Sequence, residues 1–296
     1  MATVINGSLI AKGLSIQLKA RIQQLRSQYQ CERFPGLAVI IVGNRKDSET
    51  YVRMKERSAK EMQINFSLFK YPESVTQDQL LTDIGSLNDD SSIDGIIVQL
   101  PLPAHINKRE VLSYVSIEKD VDGFHALNIG NLALEDYTPL FMPCTPRGVM
   151  HLLKHHNVEL SGKHCVVLGK SNIVGLPLSL MLLKENATVT ICNSETQREE
   201  KIVRMADVLI SAVGKAGLVR GDWIKPGAVV IDVGINPIPD STKRSGYRLV
   251  GDVDFDAVNE HASLITPVPN GVGPLTISML LLATVESFER RVSRSQ

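Results

Sequence analysis

His164-Cys165-Val166-Val167-Leu168, then Gly169-Lys170-Ser171-Asn172-Ile173-Val174-Gly175, then Leu176-Pro177-Leu178 is the stretch that decides the fold. Its first five residues predict a buried strand over His164–Leu168, and the apolar run from about Leu176 to Glu185 predicts a helix. A glycine-rich turn in that position can aim backbone N–H groups and the positive end of the helix at a pyrophosphate. Against the common G-x-G-x-x-G fingerprint, Ser171 stands where the second glycine would be and the last glycine comes one position late. Alone, such a turn also serves as a plain connector.

Working outward, the next strand is Thr188–Cys192, and it ends in Asn193-Ser194-Glu195. NAD-preferring sites usually place an acidic residue about 20 positions after the turn to hold the ribose diol. Neutral Ser194, with cationic Lys170 nearby, tolerates a phosphate on that ribose, so NADP is expected ahead of NAD. Glu195 would reverse the preference if the register brought its carboxylate onto the ribose.

Further strands are predicted at Val208–Ala212, Val229–Val233 and near Leu264–Thr266, with helices over about Gly148–His156 and from Leu275 to about Arg291. In the first half, Ile10, Leu14, Leu18, Ile22 and Leu25 mark one helix face, and Leu37–Val42 is a buried strand closed by Gly43. A helix over about Ser48–Met62, a strand near Phe66–Phe69, a helix near Gln77–Leu87 and a strand over Gly95–Leu100 follow, the last stopped by Pro101 and Pro103. Strands alternating with helices mean parallel βαβ units. The prolines of Pro139–Pro146 exclude a continuous helix or central strand there and place a boundary near residue 146. The expectation is an α/β protein of two domains with a cleft between them: a βαβ substrate domain over 1–146, completed by the helix of 275–296, and a Rossmann-like doubly wound parallel sheet over 147–274.

Composition narrows the function. The 296 residues are 43% hydrophobic and 22% charged, with 32 basic side chains against 32 acidic ones, so no net field draws the chain to nucleic acid or to an anionic membrane. The N-terminus lacks the basic-then-apolar pattern of a signal segment, and Thr and Ser interrupt the apolar run Leu275–Val285, so a soluble cytoplasmic protein is expected. Cys31, Cys144, Cys165 and Cys192 lie far apart, and the adjacent His155 and His156 point in different directions on a helix, so neither disulfides nor a metal site is expected.

Tyr51 and Lys55, four residues apart, share one face of the predicted second helix. Gln99 closes a strand before Pro101, and Asp122 sits in Lys119-Asp120-Val121-Asp122-Gly123. Singly, each is ordinary: helical lysines are usually solvated and Asp-Gly pairs usually turn.

Taken together and in order, Val42-Gly43-Asn44-Arg45 with Ser48, Tyr51 and Lys55, then Val98–Pro103, Lys119–Gly123, Pro143-Cys144-Thr145-Pro146, Gly169–Pro177 and Thr266–Pro274 resemble the bifunctional methylenetetrahydrofolate dehydrogenase/cyclohydrolase family. The resemblance spans almost the whole chain. It implies that methylenetetrahydrofolate gives a hydride to NADP and that the methenyl cation is then hydrolysed to formyltetrahydrofolate. It further implies that Lys55 exchanges the protons of hydrolysis, oriented by Gln99 and assisted by Ser48. Tyr51 would stack on the aminobenzoate ring and Asp122 would bind the pterin, with Pro269, Gly271 and Gly273 also at the substrate. Gly169, Lys170, Ser171, Ile173, Gly175, Ser194, Cys144 and Ile235 would contact the cofactor, and a homodimer is expected.

Lys170 stands where the family usually has Arg and so lacks the bidentate fork that suits a ribose phosphate. Asn193 replaces a frequent His and Asn270 a frequent Gly, although Asn tolerates positive φ better than most residues. A dehydrogenase without cyclohydrolase activity is the alternative enzyme, and a non-catalytic dinucleotide sensor, which would not need the first-half residues, is the alternative from another class.

Overall fold

The computed structural model describes residues 1–243 and 246–294, with the side chains of Lys46 and Asp47 outside the description. The chain divides into two compact units, Lys12–Cys144 with the chain from Ile277 onward, and Met1–Ala11 with Thr145–Thr276. The first eleven residues therefore belong to the later unit, although residues 7–11 run on as one helix into the segment that follows.

In chain order the first elements are β1 (Thr3–Val4), α1 (Gly7–Gln28), β2 (Gly36–Val42), α2 (Lys46–Glu61), β3 (Asn65–Tyr71), α3 (Gln77–Asp89), β4 (Gly95–Val98), α4 (Lys108–Tyr114) and α5 (Ala126–Ala133). Strands β3, β2 and β4 form a three-stranded parallel sheet with β2 in the middle. Every residue of β2 is buried, which is why its sequence is an unbroken apolar run with no polar alternation. Helix α3 starts where the Thr76 side chain accepts from the backbone N–H of Gln79 at 3.3 Å, and it buries Leu80, Ile84 and Leu87 at helical spacing. Those three join Ala38, Ile40, Ile96 and Val98 in one core.

The second set comprises α6 (Cys144–His155), β5 (His164–Leu168), α7 (Gly175–Lys184), β6 (Thr188–Cys192), α8 (Glu199–Val203), β7 (Val208–Ser211), β8 (Val229–Asp232), β9 (Asn236–Pro239), β10 (Tyr247–Val250), α9 (Phe255–Asn259), β11 (Leu264–Ile265) and α10 (Val272–Arg294). A six-stranded sheet runs in the order β1-β11-β8-β7-β5-β6, every pairing parallel, and β9 and β10 form a separate antiparallel hairpin. The chain moves from β5 outward to β6 and then returns to the other side of β5 as β7. That reversal is a topological switch point, where parallel sheets open a crevice beyond their C-terminal strand ends.

Helix α6 begins at Cys144, inside the stretch expected to be irregular, because Pro146 falls in its first turn, where an N–H has no helical partner to lose. The hairpin and the short helices α4, α5, α8 and α9 carry no strong periodicity. Helix α10 is long and apolar enough to cross a membrane in spite of the Thr and Ser that interrupt its apolar run, yet 67% of its apolar window is buried in the protein, as in a core helix. From Ile277 onward α10 packs in the first unit, where Arg291 reaches Asp94 at 3.2 Å and Ser287 donates to the Glu118 carbonyl at 2.9 Å. Asp94 is fully buried and also takes both guanidinium nitrogens of Arg33, so one carboxylate ties α10 to the start of β4.

Candidate active site

In the first unit the site begins where β2 and β4 end. Chain direction turns at Gly43, which has φ +79°, and α2 then rises with Ser48 buried and Tyr51 39% exposed. One helical turn after Tyr51, the half-buried Lys55 donates from Nζ to Gln99 Oε1 at 3.0 Å. Gln99 Nε2 donates in turn to the Leu100 carbonyl at 3.0 Å. This second bond fixes which end of the amide is oxygen, so Gln99 presents an acceptor to the lysine.

Asp122 is half-buried, and desolvation raises its carboxyl above the ordinary carboxylate range while the nearby Lys55 charge pulls it back down. The structure thus brings Lys55, Gln99 and Asp122 into one electrostatic group. Cys144 is buried in this unit, its thiol donating to the Val121 carbonyl at 3.3 Å, one residue from Asp122.

The loop that carries Asp122 is held by Asp120, which sequence reasoning passed over. Asp120 accepts from the backbone N–H groups of Phe124 and His125 at 3.2 and 2.8 Å and from Asn128 Nδ2 at 2.8 Å. Burial pushes its carboxyl up to about 7, against those donors. Lys119 is buried too, donating to the Leu87 and Asp90 carbonyls, and desolvation lowers its ammonium to about 8. The only signal in the sequence was the alternation Lys119-Asp120-Val121-Asp122, which does not say which acid faces inward.

In the second unit the site is built from backbone. Gly169, at φ +110°, lies so close to the end of β7 that a Cβ would strike the Ala212 carbonyl oxygen, and a Cβ on Gly175 would strike the carbonyl oxygen of Gly169. The turn is therefore wound tightly over the switch point, as a backbone cradle for a pyrophosphate requires. Ser171 Oγ accepts from Val174 N at 3.2 Å and from Gly175 N at 3.4 Å, so its hydroxyl closes the turn that leads into α7. Lys170 and Ser194 are exposed, and Ile173 is 41% exposed.

The loop before α10 carries Pro269 after a cis peptide bond and Asn270 at φ +79°. A side chain at Gly271 would collide with the Pro267 carbonyl, and one at Gly7 with Gly271 itself, so α1 starts directly against this loop. Ile235 Cδ1 lies beside Gly273, 3.8 Å from where its Cβ would be.

Two further carboxylates organise this end of the sheet. Asp252, fully buried, accepts from Val213, Gly214 and Lys215 N–H groups at 2.7, 3.2 and 3.0 Å and from Asn236 Nδ2 at 2.9 Å. Asp232 accepts from Gly234, Asp252 and Val253 N–H groups, and burial pushes it up to about 7, the neighbouring Asp252 charge adding to the rise. Neither acid had a sequence signal, since each lies in a short strand-end segment without periodicity. Among the described residues no cluster of three or more His, Cys, Asp or Glu side chains is placed to hold a metal ion.

The fold and these two groups of residues define a class first: an α/β enzyme that couples a Rossmann-like dinucleotide unit to a parallel-sheet unit bearing a lysine, a glutamine and an aspartate. Residues 5–122 match the catalytic domain of tetrahydrofolate dehydrogenase/cyclohydrolase, and residues 143–292 match its NAD(P)-binding domain. Bifunctional protein FolD 2 of Arabidopsis thaliana is 49% identical, with 98% of this chain and 96% of that protein aligned. Bifunctional protein FolD of Prosthecochloris aestuarii is 47% identical over 97% of this chain and 98% of its own. The crystal structure of Trypanosoma brucei N5,N10-methylenetetrahydrofolate dehydrogenase-cyclohydrolase (FolD), complexed with NADP cofactor and inhibitor, matches with a TM-score of 0.95 at 46% identity, covering 98% of each chain. The chain belongs to the tetrahydrofolate dehydrogenase/cyclohydrolase family.

Proposed function

We propose that Lys55, oriented by Gln99, moves the protons of the hydrolytic half of a two-step folate conversion. The enzyme is bifunctional: it oxidises 5,10-methylenetetrahydrofolate to 5,10-methenyltetrahydrofolate with NADP, then hydrolyses the methenyl cation to 10-formyltetrahydrofolate. NADP, when bound, accepts the hydride. For that step the chain needs to supply only close, oriented approach. Gly169, Lys170, Ser171, Ile173, Gly175 and Ser194 hold the cofactor in this reading, with Cys144 and Ile235 completing its surroundings.

Hydrolysis asks more of the side chains. Water adds to an amidinium-like carbon and must lose a proton, and the ring nitrogen must gain one as its bond to that carbon breaks. Lys55 as the amine takes the first proton and as the ammonium it delivers that proton to the ring nitrogen, while the remaining hydroxyl proton leaves to solvent as the formyl carbonyl forms, so that one proton is released overall. The 3.0 Å bond to Gln99 is the single observation that carries the assignment, because it aims Nζ at a fixed point. Ser48 assists from the first turn of α2. Asp122 accepts hydrogen bonds from the pterin, Tyr51 stacks on the aminobenzoate ring, and Pro269, Gly271 and Gly273 border the substrate.

A dehydrogenase without cyclohydrolase activity would have no use for the Lys55–Gln99 pair. Lys55→Met decides the matter: methenyl hydrolysis is lost, followed by the persistence of methenyltetrahydrofolate absorbance, while hydride transfer remains measurable. Equal loss of both activities removes Lys55 from this role. A homodimer in the cytoplasm completes the reading. The family resemblance supports the dimer. Sedimentation equilibrium tests the dimer.

A further inference from the structure

The tip of β6 holds an acid that the two-step reaction does not use. Strand β6 pairs with β5 so that Cys192 lies opposite Leu168, and Gly169 N donates to the Cys192 carbonyl at 2.9 Å. Lys170 and Ser194 are thus each two residues beyond a paired position, and Asn193-Ser194-Glu195 emerges beside the glycine turn. The tip has a defined shape. Asn193 N donates to Thr196 Oγ1 at 2.9 Å, Thr196 N donates back to the Asn193 carbonyl at 2.9 Å, and Glu195 N donates to Asn193 Oδ1 at 3.1 Å. Within it, Ser194 Oγ donates to Glu195 Oε1 at 3.2 Å.

We propose that Glu195 is a specificity-determining residue that holds down the preference for NADP, so that NAD also binds; the inference rests on the dinucleotide reading above. The Ser194 hydroxyl is the neutral donor placed for a ribose 2′-phosphate, and here its proton is turned toward a carboxylate. A 2′-phosphate brings a charge of about −1.5 to −2 to that point. It meets both a spent donor and a like charge. A free 2′-hydroxyl meets the opposite situation, since it can donate to the carboxylate as ribose diols do in NAD sites. Lys170 offsets the charge only as a point cation without a guanidinium fork. Among the described residues no ion pair neutralises Glu195. Because Ser194 and Glu195 are both exposed, water and salt screen the repulsion, and its size is several-fold.

The test is direct binding to the whole purified protein. NADPH and NADH are titrated separately by their own fluorescence against the unchanged protein, Glu195→Gln and Glu195→Lys. Each titration is run at about 50 mM and about 500 mM salt, where the screening length differs roughly threefold. Glu195→Gln is expected to tighten NADPH by roughly three- to tenfold and Glu195→Lys by more. NADH should stay within about twofold or weaken, and the gain for NADPH should shrink at the higher salt. An unchanged ratio of NADPH to NADH dissociation constants in both variants overturns the proposal. So does a parallel gain for both cofactors, which would mean a reshaped loop. If the unchanged protein binds neither dinucleotide, the dinucleotide reading itself is wrong and this inference goes with it.

Discussion

The two units hold their candidate functional groups in opposite ways. In the first, the groups are side chains mounted on regular elements: Lys55 on α2, Gln99 just past β4, and Asp122 on a loop braced by Asp120. In the second, the working surface is backbone, wound so tightly that Gly169, Gly175 and Gly271 have no room for a Cβ, and buried Asp232 and Asp252 spend their oxygens on loop N–H groups. A side-chain site loses function when atoms are removed, whereas a backbone site loses it when atoms are added or its anchors are taken away. The difference fits the chemistry. Proton transfer needs a titratable group, while a pyrophosphate needs only oriented dipoles.

The largest expected effect is on the side-chain site. Lys55→Met should lower methenyl hydrolysis by roughly 10²- to 10⁴-fold, the usual worth of a general acid–base group. Hydride transfer should stay within about tenfold, provided proximity alone drives it. Spectrophotometric assays of the two half-reactions on one preparation measure both. A common loss would erase the distinction between the two units.

Removing an anchor comes next. Asp252→Ala removes the buried acceptor of the Val213, Gly214 and Lys215 N–H groups and of the buried Asn236 amide, and the expected loss of stability is about 2–4 kcal/mol. Chemical denaturation followed by circular dichroism gives the value, and an unchanged midpoint would show that these loops stand without the carboxylate. Adding atoms ranks third. Gly175→Ala presses a Cβ on the Gly169 carbonyl, and overpacking of about 1–3 kcal/mol corresponds to roughly 5- to 150-fold weaker NADPH binding. Fluorescence titration reads it, with hydrolysis of added methenyltetrahydrofolate expected to continue.

The smallest effect is a slope. Asp120 titrates near 7 in the folded chain against an ordinary value of 3.8, so the folded state keeps a proton that the unfolded state releases. Its contribution to stability is complete below about pH 4 and is lost as the pH rises toward about 7. Unfolding free energies at about pH 4.5 and 7.5 should therefore differ less in Asp120→Asn than in the unchanged protein. An identical slope would mean that the three donors outweigh burial and keep Asp120 ionised throughout.

Much of this was legible in one dimension. The apolar runs Leu37–Val42 and His164–Leu168 lie within or coincide with β2 and β5, because strands covered on both faces need no polar alternation. Four-residue spacing put Tyr51 and Lys55 on one helix face. The start of α6 at Cys144 was misread because a proline looks the same in a first turn as in a loop until the helix that follows it is known. Thr3–Val4 is too short to announce a strand, and it exists because β11 offers it an edge. Asp120, Asp232 and Asp252 were missed because a buried acid resembles a solvated one in sequence.

By itself, then, the sequence determined the α/β class, the glycine turn after β5, the order of the family motifs and the residue types available for proton transfer, since all of these are local in periodicity or spacing. Tertiary structure alone decided that Gln99 turns its carbonyl oxygen to Lys55, that Ser171 closes its own turn, that Ser194 faces Glu195, and that three acids carry the loops. Each of those outcomes depends on which groups lose water and which partners meet, and burial is a property of the folded chain.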